Sequence, residues 1–213
     1  MSASPRTTGY DRVKRGLDLV GASVGFVVSL PIQAVVAVMV AAKLGRPVLF
    51  RQQRPGRNGT VFTLVKFRSM KDLDPERGLV TDAQRLTRFG AILRSTSLDE
   101  LPTLANVIKG NMSVVGPRPL LVSYLDRYTP EQARRHEVRP GITGLAQVSG
   151  RNAVDWDDRF ALDVQYVDSR SFSLDAKILV RTITSVFKRE GISAEGHATM
   201  REFGGSTDDG GQI

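Results

Sequence analysis

Leu19–Ala42, with the sequence LVGASVGFVVSLPIQAVVAVMVAA, contains no charged residue in 24 positions. A straight helix of that length is about 36 Å long, which is enough to cross the apolar core of a bilayer. The stretch is too long, and begins too late, to be a cleaved signal peptide. It decides the fold, because the rest of the chain must be arranged around one apolar helix near the N-terminus.

Two features of this stretch argue against a simple crossing. Pro31 near its middle removes a backbone donor and bends a helix. Both flanks are basic, and basic flanks stay in the cytoplasm, so both are satisfied only if the segment enters and leaves by the same leaflet. We therefore expect a re-entrant helix over residues 11–45, with a spanning helix and a buried core helix as alternatives. The basic flanking residues are Arg6, Arg12, Lys14 and Arg15 before the stretch and Lys43, Arg46, Arg51, Arg54 and Arg57 after it.

The composition limits the chemistry of the whole chain. Its 213 residues contain no cysteine, which excludes disulfides, thiolate nucleophiles, Cys-ligated zinc and iron–sulfur clusters. With only His136 and His197, catalysis would rest on carboxylates, hydroxyls, Lys and Arg, together with a cation that prefers oxygen ligands. The net charge of +8 suits nucleic acid, phosphate-bearing substrates or an anionic membrane, and the 7% aromatic content argues against a base-stacking surface.

Beyond the apolar stretch, the patterns predict an α+β fold that is mainly helical. We expect a β-hairpin, short helices, a Gly-rich loop and a final amphipathic helix that packs on the core or lies on the membrane surface. We divide the chain into a flexible N-terminus (1–10), the re-entrant membrane helix (11–45), a cytosolic catalytic core packed on the membrane surface (46–202) and a disordered tail (203–213). The predicted elements are strands Val48–Gln52 and Val61–Phe67, helices Asp82–Ser95, Ser97–Lys109, Leu120–Tyr128, Pro130–His136, Val154–Val167 and Leu174–Glu190 (capped by Ser173), and the loop Pro140–Asn152.

The run RSTSLDELP at positions 94–102 has the densest set of residues suited to chemistry. Pro102 is tolerated only in a first helical turn, so we expect a helix to begin around Leu98. Asp99 and Glu100 then lie at a helix N-terminus, which also favours a phosphate. A carboxylate pair can hold Mg²⁺, and one carboxylate can instead attack phosphorus. The same run matches a capping box, Ser97-x-x-Glu100, which would be purely structural.

Several basic residues are candidates for binding phosphate. Four arginines lie near Gly or Pro turns, where a guanidinium can bind an anion in a bidentate manner; they are Arg94, Arg118, Arg139 and Arg151. Lys66 lies in a β-rich run and has the same two interpretations as each arginine, a phosphate ligand or an ordinary surface cation. Asp72-Leu73-Asp74 matches the Asp-x-Asp pair of many nucleotide-sugar glycosyltransferases, although Asp74-Pro75 is also typical of a turn.

Taken together, these motifs resemble the bacterial sugar transferases, the monotopic phosphoglycosyl transferases that start glycan assembly on a polyprenol phosphate. The similarity runs from about Tyr10 to Glu202, and the chain resembles the small catalytic-core type. Its Ser193–His197 segment is most similar to members that transfer phospho-diacetylbacillosamine. The stretches that carry the resemblance are 14–18 (KRGLD), 50–56 (FRQQRPG), 66–70 (KFRSM), 94–102 (RSTSLDELP), 109–119 (KGNMSVVGPRP) and 138–152 (VRPGITGLAQVSGRN).

The resemblance implies a two-step reaction. The aspartate that matches Asp99 would attack the sugar-bearing phosphorus of a UDP-sugar, release UMP and hold the phosphosugar covalently until a polyprenol phosphate accepts it. Glu100 would accompany the Mg²⁺, and Asp163 matches another family acid that we assign to the substrate site. The phosphate and nucleotide would be bound by Lys66, Arg94, Arg118 and Arg151.

The resemblance also concerns the membrane helix. Family members often carry a Ser-Pro pair at the break of the re-entrant helix. Here Pro31 matches the proline, but Leu30 replaces the serine and Ser29 stands one residue early. We expect the break at Ser29 and Pro31, with the helix in the bacterial inner membrane and the catalytic core facing the cytoplasm.

The expected partners are a UDP-sugar, a polyprenol (undecaprenyl) phosphate and an anionic phospholipid membrane. We expect no nucleic-acid partner, and a homodimer stays open. Two rival functions are also open. One is a glycosyltransferase that uses Asp72 and Asp74 for metal and releases UDP, and the other is a basic membrane-surface adaptor without turnover.

Overall fold

A computed structural model of the chain describes residues 9–149, 155–188 and 203–205. It is mainly helical, as predicted, and has two small two-stranded sheets, of which the hairpin was expected and the second was not. The helices are α1 (Gly9–Leu44), α2 (Asp82–Arg85), α3 (Arg88–Ser95), α4 (Leu104–Ile108), α5 (Pro130–Ala133), α6 (Leu145–Val148), α7 (Trp156–Ser169) and α8 (Phe172–Lys188). The strands are β1 (Leu49–Pro55), β2 (Val61–Phe67), β3 (Ser113–Val115) and β4 (Gly141–Thr143), and 3-10 helices cover Arg57–Gly59, Pro75–Arg77, Leu98–Thr103, Val122–Arg127 and Arg134–Glu137.

Helix α1 packs on the core along one stripe and leaves its other faces exposed. The buried positions recur at spacings of three, four and seven residues, which is one face of an α-helix; they are Asp18, Ala22, Ser29, Gln33, Val36 and Val40. Ala22 packs with Phe62, Val107 and Met112, whereas Val36 and Val40 pack with Phe67 and Leu93. The rest of α1 exposes large apolar side chains, and α1 is the helix of the described chain that is long and apolar enough to cross a membrane.

The N-terminal end of α1 is joined to α8, which is far away in sequence. Asp175 accepts hydrogen bonds from the Tyr10 hydroxyl and the Lys14 ammonium, each at 2.7 Å, and from the Tyr166 hydroxyl at 2.9 Å. At the other end of α1, the Arg68 guanidinium donates to the carbonyl of Leu44. The same folded core therefore contacts both ends of the apolar helix.

The predicted break at Pro31 does not interrupt the helix, because α1 runs without a gap from Gly9 to Leu44. The Ser29 hydroxyl donates to the Phe26 carbonyl at 3.1 Å and accepts from the Gln33 amide at 2.9 Å. Ser29 thus binds a backbone carbonyl one turn earlier even though it stands one residue before the position of the family serine. Both polar side chains lie on the buried stripe rather than on the exposed apolar faces.

The β-hairpin forms as predicted, with β1 longer than expected. The two strands are antiparallel, and Phe50 lies opposite Lys66. Strands β3 and β4 pair in parallel, with Ser113 opposite Gly141. The predicted Gly-rich loop over 140–152 is therefore partly wrong, because its first half forms β4 and α6. Gly141 is required there, since a Cβ on it would lie 2.1 Å from the backbone nitrogen of Gly116.

Several predicted helices are shorter or less regular than expected. The helix predicted over 82–95 divides into α2 and α3, because Leu86 forms a β-bridge to Met70 and Thr87 caps α3. The helix predicted over 97–109 is a 3-10 helix followed by α4. The start of α8 is capped by Ser171 instead of Ser173, since the Ser171 hydroxyl accepts from the Leu174 amide.

An aromatic cluster closes the far side of the core. Phe203, predicted to begin a disordered tail, is 3% exposed and packs with Tyr124, Tyr128, Trp156 and Phe160. Its backbone amide donates to the Tyr124 hydroxyl at 3.1 Å. The folded core therefore includes Phe203, and the positions after 205 lie outside the described residues.

Candidate active site

The position of Asp99 is fixed by hydrogen bonds between β2 and the segment that carries this aspartate. The hydroxyl of Thr103 donates to the carbonyl of Val65 at 2.9 Å, and Asn106 accepts from the Val65 amide and donates to the Thr63 carbonyl. These side chains thus provide hydrogen-bond partners for backbone N–H and C=O groups on the free edge of the hairpin. Lys66, the next residue on β2, is thereby brought close enough to Asp99 to affect its pKa.

Asp99 is a buried carboxylate that the protein does not solvate. It is 4% exposed, and no described group donates a hydrogen bond to it. Burial and the neighbouring Glu100 raise the pKa of Asp99 from 3.8 to about 6, against the opposing effect of Lys66, Arg94 and Arg118. A carboxylate held in this state is typical of reactive sites.

Three cations surround this carboxylate. Burial lowers the pKa of Lys66 and of Arg94, while Asp99 acts in the opposite direction on both. Arg118 is half-exposed and donates to Glu100 at 3.1 Å, and this carboxylate raises the pKa of Arg118. The site therefore combines two carboxylates with three cations, which suits a multiply charged anion such as a diphosphate.

Arg94 is held by the close approach of α3 to the segment that follows β2. Its Nε donates to the Ser69 hydroxyl at 3.0 Å, and Ser69 is buried. Gly90 makes this approach possible, because a Cβ on Gly90 would lie 1.8 Å from the Ser69 carbonyl oxygen. The last turn of α3 thus carries Arg94 to the Asp99 site.

Arg118 is positioned through a buried ion pair that includes Asp163. The Arg135 guanidinium donates to Asp163 at 2.6 and 3.0 Å and to the backbone carbonyl of Arg118 at 2.8 Å. Both members of the pair are 2% exposed. Asp163 therefore contacts Arg135, which holds the backbone at Arg118, whereas the sequence analysis assigned Asp163 to the substrate site.

Sequence reasoning missed Arg135. The chain carries two consecutive arginines here, and Arg134 forms surface ion pairs with Glu131, Glu137 and Asp168. Both positions carry the same residue type in the same short helical segment, so local pattern does not distinguish them. Only the packing of α7 against the Arg134–Glu137 3-10 helix selects Arg135 as the buried partner of Asp163.

The two alternative interpretations of the acidic motifs are not supported. Ser97 has φ 55° and its side chain makes no cap hydrogen bond, so the predicted capping box with Glu100 is wrong. Asp72 pairs with Arg68 at 2.7 Å, and Asp74 caps the 3-10 helix Pro75–Arg77, as expected for a turn. Arg151 and Ser193–His197 lie outside the described residues.

The residues at Asp99 fit a magnesium ion that is shared with a substrate. No cluster of three or more metal-ligating side chains occurs among the described residues, so a cage built from protein alone is not available there. Mg²⁺ is commonly held by one or two carboxylates together with substrate phosphates. Asp99 and Glu100 supply such a pair, and their mutual repulsion, which raises the pKa of Asp99, would be relieved by a cation.

Comparison with known proteins identifies a family and a set of relatives. A family model described as bacterial sugar transferase matches residues 9–189. The chain is 54% identical over 171 residues to the uncharacterized sugar transferase EpsL of Bacillus subtilis, covering 80% of this chain and 85% of that protein. It is 40% identical over 190 residues to the UDP-glucose:undecaprenyl-phosphate glucose-1-phosphate transferase of Caulobacter vibrioides. The match covers 83% of this chain and 70% of that protein.

Some relatives are much longer than this chain. The galactosyl transferase CpsE of Streptococcus agalactiae is 42% identical over 189 residues, which cover 81% of this chain and 42% of that protein. The matched regions cover similar fractions, 41% and 42%, of the relatives from Erwinia amylovora and Haemophilus influenzae. The chain thus spans most of EpsL and less than half of these longer proteins.

Proposed function

Because the chain belongs to the bacterial sugar transferase family, we propose that it moves a sugar-1-phosphate from a UDP-sugar to a polyprenol phosphate and so initiates glycoconjugate synthesis. The observation that carries the proposal is the state of Asp99, a buried carboxylate that accepts no hydrogen bond from the described residues, has a pKa of about 6 and has three cations around it. The names of relatives that transfer glucose-1-phosphate or galactose phosphate to undecaprenyl phosphate support the same reaction class.

The proposed chemistry has two steps, each a displacement at phosphorus. The Asp99 carboxylate attacks the sugar-bearing phosphorus of the UDP-sugar, the bond to the bridging oxygen breaks, and UMP leaves with that oxygen. An oxygen of the polyprenol phosphate then attacks the same phosphorus, which frees Asp99 and yields polyprenyl-diphosphate-sugar. Covalent catalysis separates the soluble donor from the lipid acceptor, so the two need not be bound at once.

The surrounding residues would bind the charged groups during both steps. Lys66, Arg94 and Arg118 would neutralise the diphosphate as the loose transition state of phosphoryl transfer develops. Glu100 and Asp99 would hold Mg²⁺, which supplies further charge neutralisation to the diphosphate when bound. Asp163 would act through Arg135, which supports the backbone at Arg118.

We also propose that the protein is monotopic in the bacterial inner membrane, with α1 re-entrant and the core on the cytoplasmic side. The support is that one polar core contacts α1 near both of its ends, at Lys14 and at Leu44. If α1 crossed the bilayer, the core that packs along it between these two ends would have to lie inside the apolar layer. The basic residues on both flanks favour the same cytoplasmic leaflet.

The reaction is tested with purified protein in detergent, Mg²⁺, polyprenol phosphate and a panel of UDP-sugars, with UMP and UDP quantified separately. UMP formed with one donor supports phosphosugar transfer and identifies the sugar. UDP would instead favour a glycosyltransferase. Without lipid acceptor, wild-type protein incubated with labelled donor should retain a covalent label that is absent from Asp99→Asn.

The topology is tested with single cysteines, for which the chain is suited because it contains none. Arg12→Cys and Arg46→Cys flank the apolar stretch. Both should react with a membrane-impermeant maleimide only after the cytoplasmic face is exposed. Labelling of the two positions from opposite faces would establish a spanning helix.

A further inference from the structure

A second basic site lies near the N-terminal end of α1. A small open cavity is lined there by residues of α1, β3 and α7 and by residues near positions 57 and 139. Five basic and three acidic residues line it, and none of them belongs to the Asp99 site. Arg139, which the sequence singles out as a phosphate-binding candidate, lies here and not beside Asp99.

The basic residues of this cavity fall into two groups. Lys14 and Arg170 are neutralised by carboxylates, since Lys14 pairs with Asp175 and Arg170 with Asp11. The other three are Arg15, Arg57 and Arg139, and no described carboxylate forms an ion pair with any of them. Three guanidinium groups therefore converge on one cavity without an ion pair to any described carboxylate, although Asp11, Asp18 and Glu137 also line it.

Backbone carbonyls hold these three arginines in place. Arg15 donates to the carbonyls of Val107 and Ile108, at 2.8 and 3.1 Å. Arg139 donates from Nε to the Gly110 carbonyl at 2.9 Å, and Arg57 donates from Nε to the Glu137 carbonyl at 3.1 Å. A guanidinium has five N–H donors, so Arg57 and Arg139 each retain several for a ligand.

The electrostatic balance at Arg139 favours a bound anion. Burial and the positive charges of Arg15 and Arg57 lower the pKa of Arg139, and the carboxylates of Asp18 and Asp11 oppose this only in part. Guanidinium groups match the oxygens of a phosphate well, and Arg57 and Arg139 have N–H donors left to bind one. The cavity therefore has the chemistry of a phosphate site.

The position of the cavity on α1 indicates where that phosphate comes from. Arg15 lies on the helix between the exposed apolar residues Val13 and Leu17, which are 56% and 60% exposed, and Val20 follows at 63%. The cavity is thus level with the beginning of the apolar surface of α1. In a membrane-bound protein this is the depth of the phospholipid headgroups.

We propose that Arg15, Arg57 and Arg139 form a binding site for the phosphate of an anionic phospholipid headgroup. The inference rests on the membrane attachment proposed above. The role of this binding site would be to fix the N-terminal end of α1 at the membrane surface. The bound phosphate would accept hydrogen bonds from Arg57 and Arg139 and would add negative charge beside all three arginines.

The proposal is tested by thermal unfolding of the delipidated full-length protein in neutral detergent. The protein is titrated with short-chain phosphatidylglycerol, short-chain phosphatidylcholine or inorganic phosphate, and native mass spectrometry counts the retained lipid. We expect a saturable rise in unfolding temperature with phosphatidylglycerol and little or none with phosphatidylcholine. An equal response to the two lipids would overturn the proposal, and a response to inorganic phosphate as strong as that to phosphatidylglycerol would assign the cavity to free anions instead.

Variants locate the binding. Arg57→Gln and Arg139→Gln should each raise the half-saturating phosphatidylglycerol concentration about tenfold, since each removes a charge-assisted hydrogen bond. Arg77→Gln, which alters an 82%-exposed side chain, is the charge-matched control and should bind like wild type. Unchanged binding in both cavity variants would overturn the site. If Arg139→Gln does not fold, Arg139→Lys keeps the charge, loses the planar fork and should still weaken phosphatidylglycerol binding.

The same preparations report separately on the proposed function. UMP release depends on Asp99, whereas the lipid titration depends on the three arginines. Loss of UMP release with retained phosphatidylglycerol binding would count against the proposed function alone, and the reverse result would count against the lipid site alone.

Discussion

Asp99 and Asp175 are both nearly inaccessible to solvent, with 4% and 8% of their surface exposed, but their carboxylates have different surroundings. Asp175 accepts hydrogen bonds from Tyr10, Lys14 and Tyr166, and these bonds join α1 and α7 to α8. Asp99 accepts none from the described residues and has a pKa near 6. Burial alone therefore does not distinguish a structural carboxylate from a reactive one, whereas the supply of donors does.

Asp163 resembles Asp175, because it is also a buried carboxylate that accepts hydrogen bonds from the protein. It is fully buried, and Arg135 donates to it twice. Burial raises the pKa of Asp163, and Arg135 opposes that effect. The comparison predicts that a change at Asp163 affects folding, whereas a change at Asp99 affects chemistry.

The largest expected effect is on turnover when the unsolvated carboxylate is removed. Asp99→Asn should lower the rate of UMP release by at least about 10⁴-fold, because an amide cannot act as the nucleophile. Steady-state UMP release measures this effect, with Asp126→Asn on the exposed surface as the matched control. Substantial activity in Asp99→Asn would assign the nucleophile to another residue and break the comparison at its first member.

The same Asp-to-Asn change at the structural carboxylate Asp163 should lower stability. Asp163→Asn leaves the buried Arg135 without its charge partner, which should cost about 3–5 kcal/mol of unfolding free energy. Denaturant unfolding in detergent measures the loss. A small change in stability together with a large loss of turnover would instead move Asp163 into the group of reactive residues.

The third prediction also concerns stability, but here the variant, Asp99→Asn, should be more stable than wild type. The folded-state pKa of Asp99 lies above its ordinary value of 3.8, so ionisation destabilises the fold as pH rises from about 4 through about 6. At pH 8, Asp99→Asn should be more stable than wild type by up to about 3 kcal/mol, which is the free energy of a shift of about two pKa units. Near pH 4, where wild-type Asp99 is protonated, the two proteins should unfold at similar temperatures.

Thermal unfolding at the two pH values measures this difference. The control is Asp126→Asn, which should show no such pH dependence. Equal stability of Asp99→Asn and wild type at pH 8 would mean that the carboxylate is better solvated than its burial indicates.

The smallest expected effect concerns the cations that face Asp99. Arg118→Lys keeps the charge but loses the planar fork that binds a phosphate in a bidentate manner. We expect KM for the UDP-sugar to rise about tenfold, which corresponds to about 1.4 kcal/mol. Kinetics with varied donor concentration measure this change, with Arg77→Lys as the control. An unchanged KM would indicate that Arg118 serves Glu100 and not the substrate.

Features set by local pattern could be predicted from the sequence. The apolar helix α1, the hairpin around residues 55–59 and the adjacent carboxylates at Asp99 each depend on neighbours in the chain. The role proposed for Asp99 rests on the family resemblance, because spacing alone is also compatible with a capping box. The resemblance groups Lys66, Arg94 and Arg118 with Asp99, and the structure brings all three near this carboxylate.

Features that depend on long-range packing could not be predicted. The partner of Asp163 lies 28 residues away, and nothing in the local pattern separates Arg135 from Arg134. Arg139 was grouped with the other phosphate-binding arginines because all four lie near Gly or Pro turns. Its hydrogen bond to Gly110 carries it to a different cavity, which only the three-dimensional arrangement reveals.

The contact between Lys14 and Asp175 also has a consequence for the order of events during synthesis. The two residues are 161 positions apart, so α1 leaves the ribosome long before its partner on α8 exists. At about 5–20 residues per second, this interval is roughly 8–32 seconds. During this interval the N-terminal end of α1 can contact the core through Arg15, whose partners Val107 and Ile108 are translated earlier, but Lys14 has no partner on α8. A nascent chain that stalls before Asp175 would therefore lack the contact that joins the first and last helices of the fold.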